Sequence, residues 1–197
     1  MSESNVRVAL VGIGYISDFH LAAARRVPGA QVVGICDLSR SRAERLASQN
    51  PGLQVYTDVG ALISEQGPTA IHVLTPPQAH VGLTQQILGS GVAAFVEEPL
   101  ATTPADCLAL SQAASAKGVA LGVSHNFLFS PPYERMLADL DRGVFGRLDQ
   151  VDVIWNRPLG QIQGGPFGGW LFNEPRNVLL EVGPHSCQTL LAPSGVA

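Results

Sequence analysis

The chain is poor in charge. Asp, Glu, Lys and Arg together make up 14% of its 197 residues, against 46% hydrophobic residues. That balance excludes a disordered chain, which lacks the apolar surface to offset its ordering entropy. Basic clusters are missing too: the net charge is −4 and no more than two Lys or Arg are adjacent. A nucleic-acid partner is not expected, because neutralising phosphates needs a basic stripe. Cysteine is scarce, odd in number and scattered at Cys36, Cys107 and Cys187. Neither a disulfide framework nor a metal-spaced pair can be drawn from it, and no metal ligands are predicted. The three read as small core residues in a reducing compartment. No apolar run approaches the roughly 18–20 residues of a membrane span. The N-terminal MSESNVRVALVG lacks the basic and long apolar regions of a signal peptide. The expectation is a soluble, cytoplasmic protein with no membrane partner.

What is present is an alternation of short apolar runs and helix-length segments. Strands are predicted at residues 6–12, 31–37, 53–58, 69–76, 92–98 and 119–125. These runs are mostly apolar rather than alternating, as in parallel strands covered on both faces. Helices are predicted at residues 16–26, 39–48, 77–88 and 104–116, the last two with proline near the start, where it is tolerated. Strand–helix alternation predicts a doubly wound α/β domain with right-handed crossovers over residues 1–124. The pattern then changes. Residues 131–143 read as a helix ended by glycine, and residues 146–158 as a long strand of period two. A Gly/Pro-rich loop and a short helix, VLLEVGPHSCQTLL, follow. A second, incomplete α+β domain is therefore expected over residues 125–197. A bare sheet edge from residue 150 would favour self-association.

The stretch VALVGIGYISDFH carries the clearest chemical signal. Gly12, Gly14 and Ser17 occupy the G-x-G-x-x-small positions after the first strand. The first glycine permits the tight turn, the second lets backbone approach a pyrophosphate, and the small third residue allows close helix–strand packing. Tyr15 and Ile16 complete the loop, and the helix N-terminus adds free N–H groups for phosphates. Asp37 ends the second strand 20 residues beyond Ser17, where a carboxylate would accept hydrogen bonds from a ribose 2′-hydroxyl. That favours NAD. Ser39, Arg40 and Arg42 follow directly and would suit a 2′-phosphate, which leaves NADP open. Thr75 and Pro76 end the fourth strand at the same sheet edge, with His80 on the next helix. The fifth strand brings Glu97-Glu98-Pro99 to that edge.

The ordered set GIGYISDFH, ICDLSRSRAE, TPPQAH, VEEPLATTPADCLAL, WLFNEPRN and LLEVGPHSC resembles the glucose–fructose oxidoreductase / inositol dehydrogenase / MocA family across essentially the whole chain. The resemblance implies a Rossmann domain and then a domain with a large, mostly antiparallel sheet that often makes oligomer contacts. It further implies sugar, cyclitol or related substrates and hydride exchange with a nicotinamide. Chains of the family are considerably longer than 197 residues. Two departures stand out. The family's Glu-Lys-Pro is here Glu97-Glu98-Pro99, so Glu98 holds the place of the active-site lysine. The family's Asp and, four residues on, His are here Glu181 and His185.

In matching enzymes the histidine is the base on the substrate hydroxyl, and the lysine stabilises the developing negative oxygen. A carboxylate there would repel it. Two unit charges about 4 Å apart interact by roughly 4 kcal/mol at an effective dielectric of about 20. Two routes around this exist: a buried Glu98 kept neutral as a donor, or Glu98 as a base with His185 as the acid. Trp155, Asn156 and Arg157 are further candidates to face substrate. The competing readings are an oxidoreductase with an altered catalytic set, a redox-inactive cofactor-binding or regulatory protein, and a lyase, epimerase or hydrolase that reduces NAD transiently.

Overall fold

The structure is a computed structural model that describes residues 6–156, 158, 160, 164, 167, 169–191 and 193. The chain divides into two compact units, Met1–Ser124 and His125–Ala197.

The first unit is a six-stranded sheet. Its strands are β1 (Val6–Val11), β2 (Ala30–Cys36), β3 (Gln54–Tyr56), β4 (Ala70–Val73), β5 (Ala93–Val96) and β6 (Leu121–Val123). All neighbouring pairs are parallel, in the order β3-β2-β1-β4-β5-β6. That is the doubly wound order, whose reversal point lies between β1 and β4. The helices between the strands are α1 (Ser17–Ala24), α2 (Arg40–Ser48), α3 (Val59–Gln66), α4 (Pro77–Gly89) and α5 (Pro104–Lys117).

Strand alternation sorts the side chains into two cores. Ala9 and Val11 of β1, Ile71 and Val73 of β4, and Ala94 and Val96 of β5 pack with Leu62, Ile87 and Leu110 of α3, α4 and α5. Val8 and Leu10 of β1 and Ile35 of β2 pack on the other face with Leu21 and Ala24 of α1 and Leu46 of α2. Both faces being covered explains why these strands read as mostly apolar runs. The same alternation turns His72, Phe95 and Glu97 away from the core that holds Ile71, Ala94 and Val96.

The sequence pattern did not mark α3. Gly60 weakens it as a helix, but its ends are well formed. The Asp58 side chain accepts a hydrogen bond from Ala61 N at 2.7 Å, and Gly67 closes the helix at φ 51°. An N-cap acid and a left-handed glycine are start and stop signals.

The second unit contains a 3-10 turn (Asn126–Phe129), α6 (Pro131–Asp141), α7 (Trp170–Asn173) and α8 (Arg176–Leu191). The strand expected over residues 146–158 is not formed among the described residues. Its described residues are irregular, and no antiparallel sheet occurs among the described residues. The physical reason is pairing: without a second strand beside it, a period-two segment has no ladder for its backbone groups. The self-association expected from a bare sheet edge loses its structural basis with that strand. The final helix is longer than the sequence suggested. It begins at Arg176 and runs through Pro184, whose missing N–H removes one helical hydrogen bond. Much of the Gly/Pro-rich loop lies outside the described residues. No described helix is long and apolar enough to cross a membrane.

Candidate cofactor and active site

The glycine loop is built around one tight approach. Gly12 has φ +92°, and a Cβ there would lie 2.8 Å from Leu74 C, Thr75 N and Thr75 Cγ2. Only glycine satisfies both the conformation and the contact. Gly12 N donates to Cys36 O at 2.9 Å, and Leu74 N donates to Val11 O at 2.7 Å, so β2 and β4 flank the turn. Gly14 is different: a Cβ there would meet nothing within 4 Å. Its lack of a side chain serves the space above the loop, not the packing below it. Ser17 is 1% exposed, and its hydroxyl donates to Gly14 O at 2.6 Å. Ile16 is the N-cap of α1 and offers no side-chain cap; Ser17 N and Phe19 N donate instead to Gly14 O and Ile16 O. Tyr15 is exposed, with its ring against Phe19 at 5.5 Å.

Asp37 is buried, and both carboxylate oxygens are engaged. Oδ2 accepts from Ile13 N at 2.7 Å, and Oδ1 accepts from Ser39 N at 2.8 Å. The carboxylate thus ties the glycine loop to the turn after β2. Arg42 lies 3.4 Å from Oδ2 and is half exposed. Arg40, named together with Arg42 in the sequence, instead pairs with Glu44 on the outer face of α2 at 3.3 Å. The difference follows from helical spacing, which separates positions 40 and 42 by about half a turn. A small polar cleft runs between the loop and α2, lined by Ile13, Gly14, Ser17, Asp18, Arg42 and Arg45. Beside Asp37, Cys36 is pushed up to about 11 by burial and then by Asp58 and Asp37. It is an inert thiol of the core.

On the β4 side, Thr75 buries a hydroxyl oxygen that has no hydrogen-bond partner among the described residues. Pro76 is exposed and caps α4. His80 is fully buried. One ring nitrogen lies 2.7 Å from Thr75 O and the other 2.8 Å from Pro99 O. It bridges the turn after β4 and the turn after β5 through their carbonyls. The Glu98–Pro99 peptide is cis.

Glu97 and Glu98 part company at the end of β5. Glu97 accepts a hydrogen bond from His20 Nε2 at 2.7 Å, and Ser124 also bonds its carboxylate. Burial alone would push the Glu97 carboxyl up. The bonds from His20 and Ser124, with the charges of His20 and His80, overcome that and hold it below its ordinary range. His20 Nδ1 in turn lies 3.0 Å from His72 Nδ1. Phe95 walls the pair, at 6.0 Å from the His20 ring and 5.1 Å from the His72 ring. Glu98 is partly exposed and buries one carboxylate oxygen. The first unit therefore gathers Gly12, Gly14, Asp37, Thr75, Glu97 and Glu98 at the carboxyl ends of β1, β2, β4 and β5. Ligands bind doubly wound sheets at that edge.

In the second unit, Glu181 and His185 lie four residues apart on α8, one above the other on a single face. The His185 ring stacks on Trp155 at 5.6 Å and 11°, with Phe127 edge-on at 4.8 Å. Gln188 Nε2 is 3.2 Å from His185 Nδ1. Arg157 lies outside the described residues.

Sequence reasoning missed His72 and gave His20 no role. A histidine inside the apolar run TAIHVLTP was the available signal. Its partners at positions 20, 97 and 124 are too distant in sequence to be inferred from spacing.

A nicotinamide dinucleotide fits this edge on three observations: the Gly12 turn, the open space over Gly14 and the orphan Thr75 hydroxyl. Comparison with known proteins agrees. Residues 6–125 match the family model described as an oxidoreductase family with an NAD-binding Rossmann fold. The chain is 30% identical to D-apiose dehydrogenase of Paraburkholderia graminis, over 90% of this chain and 46% of that protein. It is 32% identical to inositol 2-dehydrogenase of Acidothermus cellulolyticus, over 74% of this chain and 43% of that protein. Among solved structures, an oxidoreductase from Agrobacterium radiobacter in complex with NAD+, L-tartaric acid and magnesium superimposes with a TM-score of 0.69 at 26% identity. That match covers 73% of this chain and 42% of that one. The chain thus spans less than half the length of these relatives. On this evidence its first unit is an NAD-binding Rossmann domain, and the chain belongs to the glucose–fructose oxidoreductase / inositol dehydrogenase / MocA family of oxidoreductases.

Proposed function

We propose that the chain is the cofactor-binding part, with the start of the substrate part, of a cytoplasmic NAD(H)-dependent oxidoreductase. Its substrate is a sugar, a cyclitol or a related hydroxyl or carbonyl compound. The observation that carries the cofactor half is the lock between Asp37 and the glycine loop. The pyrophosphate lies over Gly14 at the start of α1, and Tyr15 and Ile16 shape the loop beside it. Asp37 takes the adenosine ribose. Thr75, Pro76 and Glu97 border the nicotinamide half, and His80 sets the Thr75 carbonyl. Arg42, rather than Arg40, is the cation beside the ribose. It offsets the repulsion that Asp37 would exert on a 2′-phosphate, so NADP is accepted more weakly than NAD. The bound nicotinamide supplies hydride acceptance or donation. This chain's residues bind, orient and handle the proton.

Titration calorimetry on the whole chain tests the cofactor half. Asp37→Ala is expected to weaken NAD+ binding about 10- to 100-fold, the loss of hydrogen bonds to a charged group. NADP+ affinity should fall less, because the repelling carboxylate is removed while Arg42 stays. A melting curve shows whether the variant folds. Unchanged NAD+ affinity in a folded variant would sink the ribose role of Asp37.

For the chemistry, His185 is the group that exchanges a proton with the substrate hydroxyl, Glu181 supports it one turn away, and Glu98 stands where a lysine would assist. A sugar-like ligand fits the aromatic surface of Trp155 and Phe127 around His185. With a carboxylate at position 98, oxidation by the usual route is expected to be slow. Glu98→Lys should raise NADH formation on a panel of sugars and cyclitols by roughly two decades or more, from the charge reversal. Absence of any gain while NAD+ still binds would favour a redox-inactive, cofactor-binding role. The family's oligomer contacts are proposed for the complete assembly.

A further inference from the structure

The His20, His72 and Glu97 side chains form one hydrogen-bonded chain. The Glu97 carboxylate accepts, so His20 Nε2 carries a hydrogen. Between the two Nδ1 atoms, 3.0 Å apart, there is room for one hydrogen only. If His20 is neutral, His72 Nδ1–H donates to it. If His20 is an imidazolium, its Nδ1–H donates to His72. Charging both rings would set N–H against N–H and two cations in contact, a repulsion that enclosure by Phe95 makes worse. The cluster therefore carries a charge of −1 or 0 and toggles by one proton.

Its position gives that charge a target. Glu97 N donates to Val73 O at 3.0 Å, and Ser124 N donates to Val96 O at 2.8 Å. Those bonds fix Glu97 at the carboxyl edge between β4 and β6. With the ribose at Asp37 on β2 and the pyrophosphate at the loop after β1, the rest of the dinucleotide runs over the ends of β4 and β5. The nicotinamide ring is cationic in NAD+ and neutral in NADH.

We propose that this one-proton cluster sets which redox form of the cofactor the protein prefers, so that preference for NAD+ over NADH rises with pH. The inference rests on the NAD reading above. The sign follows from charge. At high pH the cluster is −1 and attracts the cationic ring, whereas after proton uptake it is 0 and the attraction is gone. Binding of NAD+ accordingly expels the proton, and binding of NADH does not. The groups facing the cluster are Glu97 itself, His80 of α4, which acts on Glu97 through its charge, and the uncharged Phe95 and Ser124. Glu98 adjoins in sequence and is common to both cofactor forms.

The test measures the dissociation constants of NAD+ and NADH from pH 5.5 to 9 on the whole chain and on His20→Gln. The amide keeps a donor toward Glu97 but cannot titrate. The ratio Kd(NADH)/Kd(NAD+) is expected to climb on the order of 5- to 10-fold with pH in the unsubstituted chain and to stay flat in His20→Gln. Calorimetry in buffers of different ionisation heat gives a second readout that needs no variant: NAD+ should release more protons than NADH. Equal proton release with a flat ratio, or an identical rise in His20→Gln, overturns the proposal and leaves the NAD reading intact. Failure of both forms to bind overturns the NAD reading and this inference with it.

Discussion

Gly12→Ala is expected to cost roughly 2–5 kcal/mol of stability and to eliminate measurable NAD+ binding, whereas Gly14→Ala should eliminate binding at little cost in stability. The two glycines sit two residues apart in one motif but answer to different constraints. At Gly12 the backbone holds φ +92°, and the new methyl would meet Leu74 and Thr75 backbone atoms at 2.8 Å. Left-handed strain of about 1–2 kcal/mol adds to overpacking of about 1–3 kcal/mol. Backbone cannot step aside as a flexible side chain can, so the β1–α1 turn must shift away from β4. At Gly14 a methyl meets no protein atom within 4 Å. It would instead fill the space proposed for the pyrophosphate. Urea unfolding and NAD+ titration on both variants separate the two effects. A Gly14→Ala protein that binds NAD+ normally would show that the pyrophosphate does not lie over this loop.

Acid should destabilise the protein through His72 by about 3 kcal/mol between pH 7 and pH 4. Its ring is lowered to about 4 by burial first and by neighbouring His20 second, with Glu97 opposing. In the unfolded chain a histidine titrates near 6.5, so between about 6.5 and 4 the unfolded state binds a proton that the folded state refuses. Stability is therefore held above the unfolded value and lost as pH falls toward the folded one. Glu97 acts in the same direction lower on the scale, because its carboxyl is held below its ordinary range. Its contribution is lost as pH falls through the folded value. His72→Phe keeps an aromatic ring beside Phe95 and removes the titration. Urea unfolding at pH 7 and pH 4 should show the unsubstituted chain losing about 3 kcal/mol more than the variant. Parallel losses would mean that His72 does not carry the acid sensitivity.

The sequence was most legible where one local rule governs. β1, β2, β4 and β5 announce themselves as apolar runs because both their faces are covered. The glycine loop is readable because turn, phosphate approach and close packing each demand a residue type at a fixed spacing. The failures have physical causes as well. α3 was obscured because Gly60 interrupts its pattern, although Asp58 and Gly67 bound it. Residues 146–158 alternate like a strand, but alternation only says which face would be apolar. A strand also needs a neighbour to pair with, and the described residues offer none.

The sequence by itself determined the doubly wound unit and its cofactor class, since each is written in contiguous residues or fixed spacings. Only the tertiary structure decided that Arg42 rather than Arg40 faces Asp37 and that His80 spans two turns. It alone joined His20, His72, Glu97 and Ser124 into one hydrogen-bonded cluster. Those contacts link α1, β4 and the ends of β5 and β6. They exist because parallel strands set distant segments side by side, a relation that carries no signature in the local order of residues.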